Sequence, residues 1–142
     1  MFLVLDPGET TGFARFEQDG SLIDIGQVEG IEDLVTWIND LDPKPALIVY
    51  EQFLVDPHVR LGGSDLETVQ AIGQIRKYGI ENGIVAIPQS RTIKLIGYRW
   101  AGKKPLPKKR HDESHKWDAL AHGIYYLVSN KIIRLNFGKE EE

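Results

Sequence analysis

Phe2-Leu3-Val4-Leu5-Asp6-Pro7-Gly8 runs four apolar residues into a carboxylate and then into a turn. A short apolar run bounded by a turn signal reads as a buried strand, here one that delivers Asp6 at its end. Gly12 to Phe16 resumes as a second strand, and Gln18-Asp19-Gly20-Ser21 turns it into a third, Leu22 to Val28. The three form an antiparallel meander. Ile31, Leu34, Val35, Ile38 and Leu41 then recur at helical spacing until Asp42-Pro43-Lys44-Pro45 ends the helix. Ala46 to Tyr50 repeats the opening pattern, a buried strand that again ends on a carboxylate, Glu51.

Beyond a loop with Pro57 and Gly62-Gly63, Ser64 and Glu67 have the spacing of a capping box and open a helix to about Tyr78. Asn82-Gly83 turns into a short strand, Ile84 to Ile87, closed by Pro88, and Ser90 caps a helix to about Ile96. Two glycines, two prolines and six bases make Gly97 to Arg110 a loop. A last helix runs from about Asp112 to Ser129, with Leu120, Ile124, Tyr125, Leu127 and Val128 on its apolar side. The order β-β-β-α-β-α-β-α-α predicts an α/β fold. Its mixed five-stranded sheet has three antiparallel strands followed by βα units, with helices on both faces. One domain over residues 1–130 is expected, with 131–142 a frayed tail.

The 142 residues contain no cysteine, which removes disulfides, zinc–thiolate sites and thiol nucleophiles. Any metal must sit on Asp, Glu or His. No apolar run is long enough to span a membrane, and the first residues lack the basic flank of a signal peptide, so a soluble, cytoplasmic protein is expected. The net charge of −4 would argue against a polyanionic partner, but it averages two unlike regions. Residues 1–57 hold 12 acids against 2 bases, whereas residues 91–116 hold 9 bases against 2 acids. Such a basic cluster is a nucleic-acid footprint, carried here by Arg99, Lys103, Lys104, Lys108, Lys109 and Arg110. Tyr98 and Trp100 flank Arg99 and add stacking surface.

Ligands of open α/β sheets gather at the carboxyl ends of strands, where Asp6 and Glu51 both stand. In the last helix His115 and Asp118 are three apart and share a face, with His122 near it. Asp112 and Glu113 read as solvated first-turn acids suited to the helix dipole. Asp6, Glu51, His115 and Asp118 together offer hard oxygens and one imidazole, a set that suits Mg²⁺ or Mn²⁺. Two such ions about 3.5–4 Å apart activate a water and stabilise the leaving oxygen of a phosphodiester. An acidic centre beside a basic loop is what a metal-dependent nuclease needs.

Four stretches in this order resemble the RuvC-like Holliday junction resolvases, within the ribonuclease H superfamily. Phe2 to Gly8, continued by Thr11-Gly12-Phe13-Ala14, resembles the family's I-D-P-G…T-G strand. Ile48-Val49-Tyr50-Glu51-Gln52-Phe53 is similar to its I-E-Q…F segment, and Ala71-Ile72-Gly73-Gln74-Ile75-Arg76 to its L-G-Q-x-R helix. His115 to His122, H-K-W-D-A-L-A-H, resembles the last helix, where many cellular members carry two acids in place of this His and Asp. The resemblance implies a ribonuclease H-like fold with Asp6 bridging two Mg²⁺ (or Mn²⁺) ions and Glu51 on one of them. Asp118 with His115 would complete the second site. It also implies in-line attack by water that leaves a 5′-phosphate and a 3′-hydroxyl, and a homodimer cutting a four-way DNA junction. Phe53 would stand near the junction centre or serve as a core residue, and Arg76 would join the DNA contacts. Compact relatives are common in bacteriophages, so a bacterial or infected-host cytoplasm is implied.

Three rivals differ from this reading. A RuvC-like nuclease acting on flaps, other branched DNA or RNA would have the same active site, because metals and phosphates carry no structural selectivity. Asp6 to Gly12 also looks like the first phosphate loop of actin-like ATPases and sugar kinases, but 142 residues leave no room for their second domain. Gly8 and Gly12 then read as turn formers that let backbone approach the metal rim. A non-catalytic binding module would have no reason to keep all four ligand positions filled.

Overall fold

In the computed structural model, which describes residues 1–108 and 114–135, the opening strand β1 (Phe2–Asp6) lies at the centre of the sheet. It pairs antiparallel with β2 (Thr10–Phe16), and β2 pairs antiparallel with β3 (Leu22–Glu29). After α1 (Gly30–Asn39), β4 (Leu47–Glu51) joins the other side of β1 in parallel. The chain continues as α2 (Gly63–Asn82), β5 (Val85–Gln89) parallel to β4, α3 (Ile93–Trp100) and α4 (His115–Ser129). The strand order is β3-β2-β1-β4-β5. This is the expected mixed five-stranded sheet. No helix of the described residues is long and apolar enough to cross a membrane.

Strand alternation sorts the core into two layers. Leu3 and Leu5 of β1 pack with Ile48 and Tyr50 of β4 against Ile38 of α1 and Ile75 and Tyr78 of α2. Val4, Val49, Ala14 and Phe16 face the other way, onto Leu120, Ile124 and Leu127 of α4. Each fully buried aliphatic side chain contributes about 1.5–3 kcal/mol. The same alternation turns Asp6 and Glu51, two residues beyond Val4 and Val49, toward α4.

Three local expectations change. The loop expected from Gly97 begins later, because α3 continues through Trp100. Gly97 is retained in the helix by close packing, since a Cβ there would lie 2.0 Å from the Ala121 carbonyl oxygen of α4. Gly12 is no turn former but a residue of β2 opposite Asp6. A Cβ on Gly12 would lie 2.2 Å from the carbonyl oxygen of His115, so its absence lets the start of α4 rest on the strand. Finally, α2 begins one residue before Ser64, and its capping contact runs from the Gly62 N–H to Asp65 Oδ2 at 3.0 Å. The helix also runs past Tyr78 to Asn82, where Gly83 closes it at φ 66°, a left-handed conformation natural to glycine.

The segment after α3 is pinned by buried Leu106 and by the Gly102 N–H, which donates to the Pro107 carbonyl at 2.8 Å. Past α4, the N–H groups of Ile132 and Ile133 donate to the Leu127 carbonyl, and both side chains pack on the α4 layer with Leu135. The first residues of the segment expected to fray are thus docked on the core.

Candidate metal centre

The parallel register pairs Val4 with Val49 and Leu5 with Tyr50, so Asp6 and Glu51 come next in step at the carboxyl ends of neighbouring strands. Gly12 then seats the first turn of α4 beside them. As a result Asp6, His115 and Asp118 each offer one ligand atom, all within 4.8 Å of one another. His115 Nδ1 lies 3.1 Å from Asp6 Oδ2. The Asp6 side chain is 7% exposed and that of His115 53%, so the trio runs from the core to the cleft surface.

Glu51, the fourth expected ligand, stands beside the trio and is held by other partners. Its Oε1 is 3.1 Å from His122 Nε2 and 3.2 Å from Lys94 Nζ. Lys94 also lies 3.7 Å from Asp118 Oδ2, and the Tyr98 hydroxyl donates to Asp118 Oδ1. The ammonium therefore stands between two of the acids. Burial would lower the lysine's pKa, but the charges of Glu51 and Asp118 outweigh it and raise the pKa above the ordinary value.

Burial pushes the Asp6 carboxyl up to about 8, and the charges of Glu51 and Asp118 add to it. For Glu51 burial also raises the pKa, yet the hydrogen bond from His122 and the charge of Lys94 prevail and hold it down at about 2. The Tyr98 phenol is raised by burial and then by its hydrogen bond to Asp118. Burial and the neighbouring carboxylates thus favour a proton on Asp6, with Glu51 ionised beside it. A carboxylate cluster that retains a proton near neutral pH is a site a divalent cation fills by displacing that proton. Hard oxygens with one imidazole fit Mg²⁺ or Mn²⁺. Asp6, His115 and Asp118 would hold such an ion, with Glu51 adjoining.

The site lies in a cleft of about 460 Å³. Five carboxylates line it, those of Asp6, Glu9, Glu51, Asp65 and Asp118, against the two cations Arg91 and Lys94. Phe53 belongs to the cleft wall. Arg76 lies elsewhere, in a separate surface groove with Gly73, Lys77, Ile80 and Glu81. Arg99, Lys104 and Lys108 are exposed and Lys103 is half-buried, all outside the cleft lining. Trp100 stacks on Tyr125 with ring centroids 6.0 Å apart. That packing, and the bond of Tyr98 to Asp118, give both aromatics structural partners where stacking on bases was expected. Lys109 and Arg110, like Asp112 and Glu113, lie outside the described residues.

Lys94, Gln89 and Arg91 escaped the sequence reading, and His122 was placed near the ligand face without a partner. The spacing of His122 from Asp118, four residues, was the signal that could have found it. Lys94 belongs to the basic stretch 91–116, but nothing there marks it as the lysine that enters the acidic site.

No protein-family model matches this chain, and no curated protein matches its sequence. Solved structures do. Thermus thermophilus RuvC in complex with a Holliday junction substrate aligns with a TM-score of 0.65 and 14% identity, covering 92% of this chain and 94% of that one. A second Thermus thermophilus RuvC structure aligns with a TM-score of 0.59 at 14% identity, covering 92% and 95%. A ROK family protein from Streptococcus pneumoniae in complex with sucrose reaches 0.46 at 15% identity, covering 70% of this chain and 37% of that one, too loose a match to bear on the fold. The chain has the ribonuclease H-like fold of RuvC, the architecture implied by the resemblance of its four stretches.

Proposed function

We propose that this protein is a metal-dependent endonuclease that resolves four-way DNA junctions. One observation carries the reading: Asp6, His115 and Asp118 converge within 4.8 Å at the foot of a cleft whose acids outnumber its bases. A nucleic-acid backbone is repelled by such a cleft unless cations accompany it. Asp6, His115 and Asp118, with Glu51 adjoining, would hold two Mg²⁺ or Mn²⁺ ions, which would supply Lewis acidity and a water of lowered pKa for in-line cleavage to 5′-phosphate and 3′-hydroxyl ends.

The chain's own residues do the rest. Asp6, anchored in the central strand and buried, is the carboxylate that links the two halves of the site. Asp118 is oriented by the Tyr98 hydroxyl, and Lys94 stands between Asp118 and Glu51. Arg91, Ser90 and Ser64 in the cleft lining offer a guanidinium and hydroxyls to the flanking phosphates. The similarity to RuvC in complex with a Holliday junction substrate supports four-way DNA as substrate. A homodimer, with one strand for each site, is the working form this reading requires.

Asp6→Asn tests the reading. It keeps the shape of the side chain and removes its charge, so Mg²⁺-dependent cleavage should fall below detection while junction binding, measured by gel shift in Ca²⁺, changes less than about threefold, a shift of about 0.7 kcal/mol. Retained cleavage would overturn the assignment.

A further inference from the structure

Gln89 at the end of β5 and His122 in the third turn of α4 take no part in the reaction proposed above. His122 is wholly buried, and each ring nitrogen has a partner. Nδ1 lies 2.9 Å from Gln89 Oε1, and Nε2 lies 3.1 Å from Glu51 Oε1. The neighbours of His122 along α4, Leu120, Ala121 and Ile124, are buried and apolar. An aliphatic side chain would fill this position without desolvating an imidazole, which a core tolerates only when both nitrogens are bonded. Gln89, itself 7% exposed, is the second buried polar group that satisfies the ring. A chain of two buried polar side chains, Gln89 to His122, thus ends on one oxygen of one candidate ligand, Glu51.

We propose that His122, backed by Gln89, is the positioning residue of Glu51, fixing its carboxylate in the orientation in which it meets Asp6. The inference rests on the metal-site reading and adds to it a residue that touches neither ion nor substrate. An ionised carboxylate only accepts, so Nε2 must carry a hydrogen. In a neutral ring Nδ1 then accepts from the Gln89 amide, turned to present its NH₂; in a charged ring Nδ1–H donates to the Gln89 oxygen. Either way Nε2–H points at Glu51, so the positioning does not depend on the charge of the ring. Lys94 reaches the same oxygen on a flexible stem it shares with Asp118, whereas the imidazole is locked in the core. Hydrogen-bond partners behind metal-binding groups are worth about 10–100-fold in metal affinity.

Mn²⁺ titration of the full chain, followed by electron paramagnetic resonance without DNA, tests the role directly. His122→Leu should bind Mn²⁺ about 10–100-fold more weakly, and Gln89→Leu about 10-fold more weakly. His122→Gln, which returns an amide N–H toward Glu51, should recover most of the loss. A merely structural histidine would move the melting temperature and leave Mn²⁺ affinity unchanged. Wild-type affinity in folded His122→Leu overturns the inference; if that variant does not fold, wild-type affinity in Gln89→Leu does so. Mn²⁺ binding that Asp6→Asn weakens but the His122 variants do not would overturn the positioning role alone. No Mn²⁺ binding by the wild type, or binding indifferent to Asp6→Asn, would overturn the metal site and this inference with it.

Discussion

Asp6 closes a strand of four apolar residues, and its place there sets its chemistry. The strand buries it, the neighbouring strand puts Glu51 beside it, and α4 adds Asp118, so it keeps its proton to about pH 8. The consequence for stability has a definite sign. Between about pH 4 and pH 8 the folded protein holds a proton that the unfolded chain has released, so metal-free protein should lose stability as pH rises through that window. Glu51 acts oppositely at the acid end: its folded pKa of about 2 lies below the usual 4.5, so its contribution is lost as pH falls through that interval. Thermal melts in EDTA should show Asp6→Asn with a flatter dependence from pH 4 to 8 than wild type, and Mn²⁺ should raise the wild-type melting temperature more at pH 8 than at pH 6. Parallel curves for the two proteins would contradict the shift. At this scale the candidate ligands Asp6 and Glu51 were legible, because a charge after a buried run marks a strand end. Lys94 was not, because only the packing of α3 on α4 brings it between Glu51 and Asp118.

Among the elements, α4 decides whether the ligands meet, and its seating depends on missing side chains. Gly97 of α3 touches the Ala121 carbonyl, whereas an added Cβ at Gly73 of α2 meets nothing within 4 Å. In an exposed helix interior, Gly→Ala gains about 1 kcal/mol of propensity. Gly73→Ala should therefore raise stability by about 0.4–1 kcal/mol. Gly97→Ala should lower it by about 1–3 kcal/mol despite the same propensity gain, because backbone must move to admit the methyl. Urea denaturation of the two variants checks both signs. Equal stabilisation would mean that α3 and α4 are not in close contact. Strand order and helix periods were legible in the sequence because alternation and 3.6-residue spacing are local. The continuation of α3 through Gly97 was not, since that glycine answers to a helix distant in sequence.

Across the whole molecule, acids and bases are segregated, and the net charge of −4 conceals it. The cleft is acidic, while Arg99, Lys104 and Lys108 lie exposed outside it. Replacing Lys103, Lys104, Lys108 and Lys109 with Ala should weaken junction binding and reduce the slope of log K against log salt by about 0.9 for each phosphate no longer neutralised. An unchanged slope would make the loop a solvated surface. The segregation is legible in the sequence. The pinning of the loop by Leu106 and the placement of Arg76 in a separate groove are not, since both depend on how helices settle on the sheet. Junction resolution by a metal-dependent site stands or falls on a comparison of substrates. A labelled four-way junction, a flap, a plain duplex and an RNA–DNA hybrid are incubated side by side with the protein and Mg²⁺. Symmetric paired nicks with 5′-phosphate ends should appear in the junction alone and be abolished by EDTA; cleavage that favours another substrate, or none in any, would contradict junction resolution.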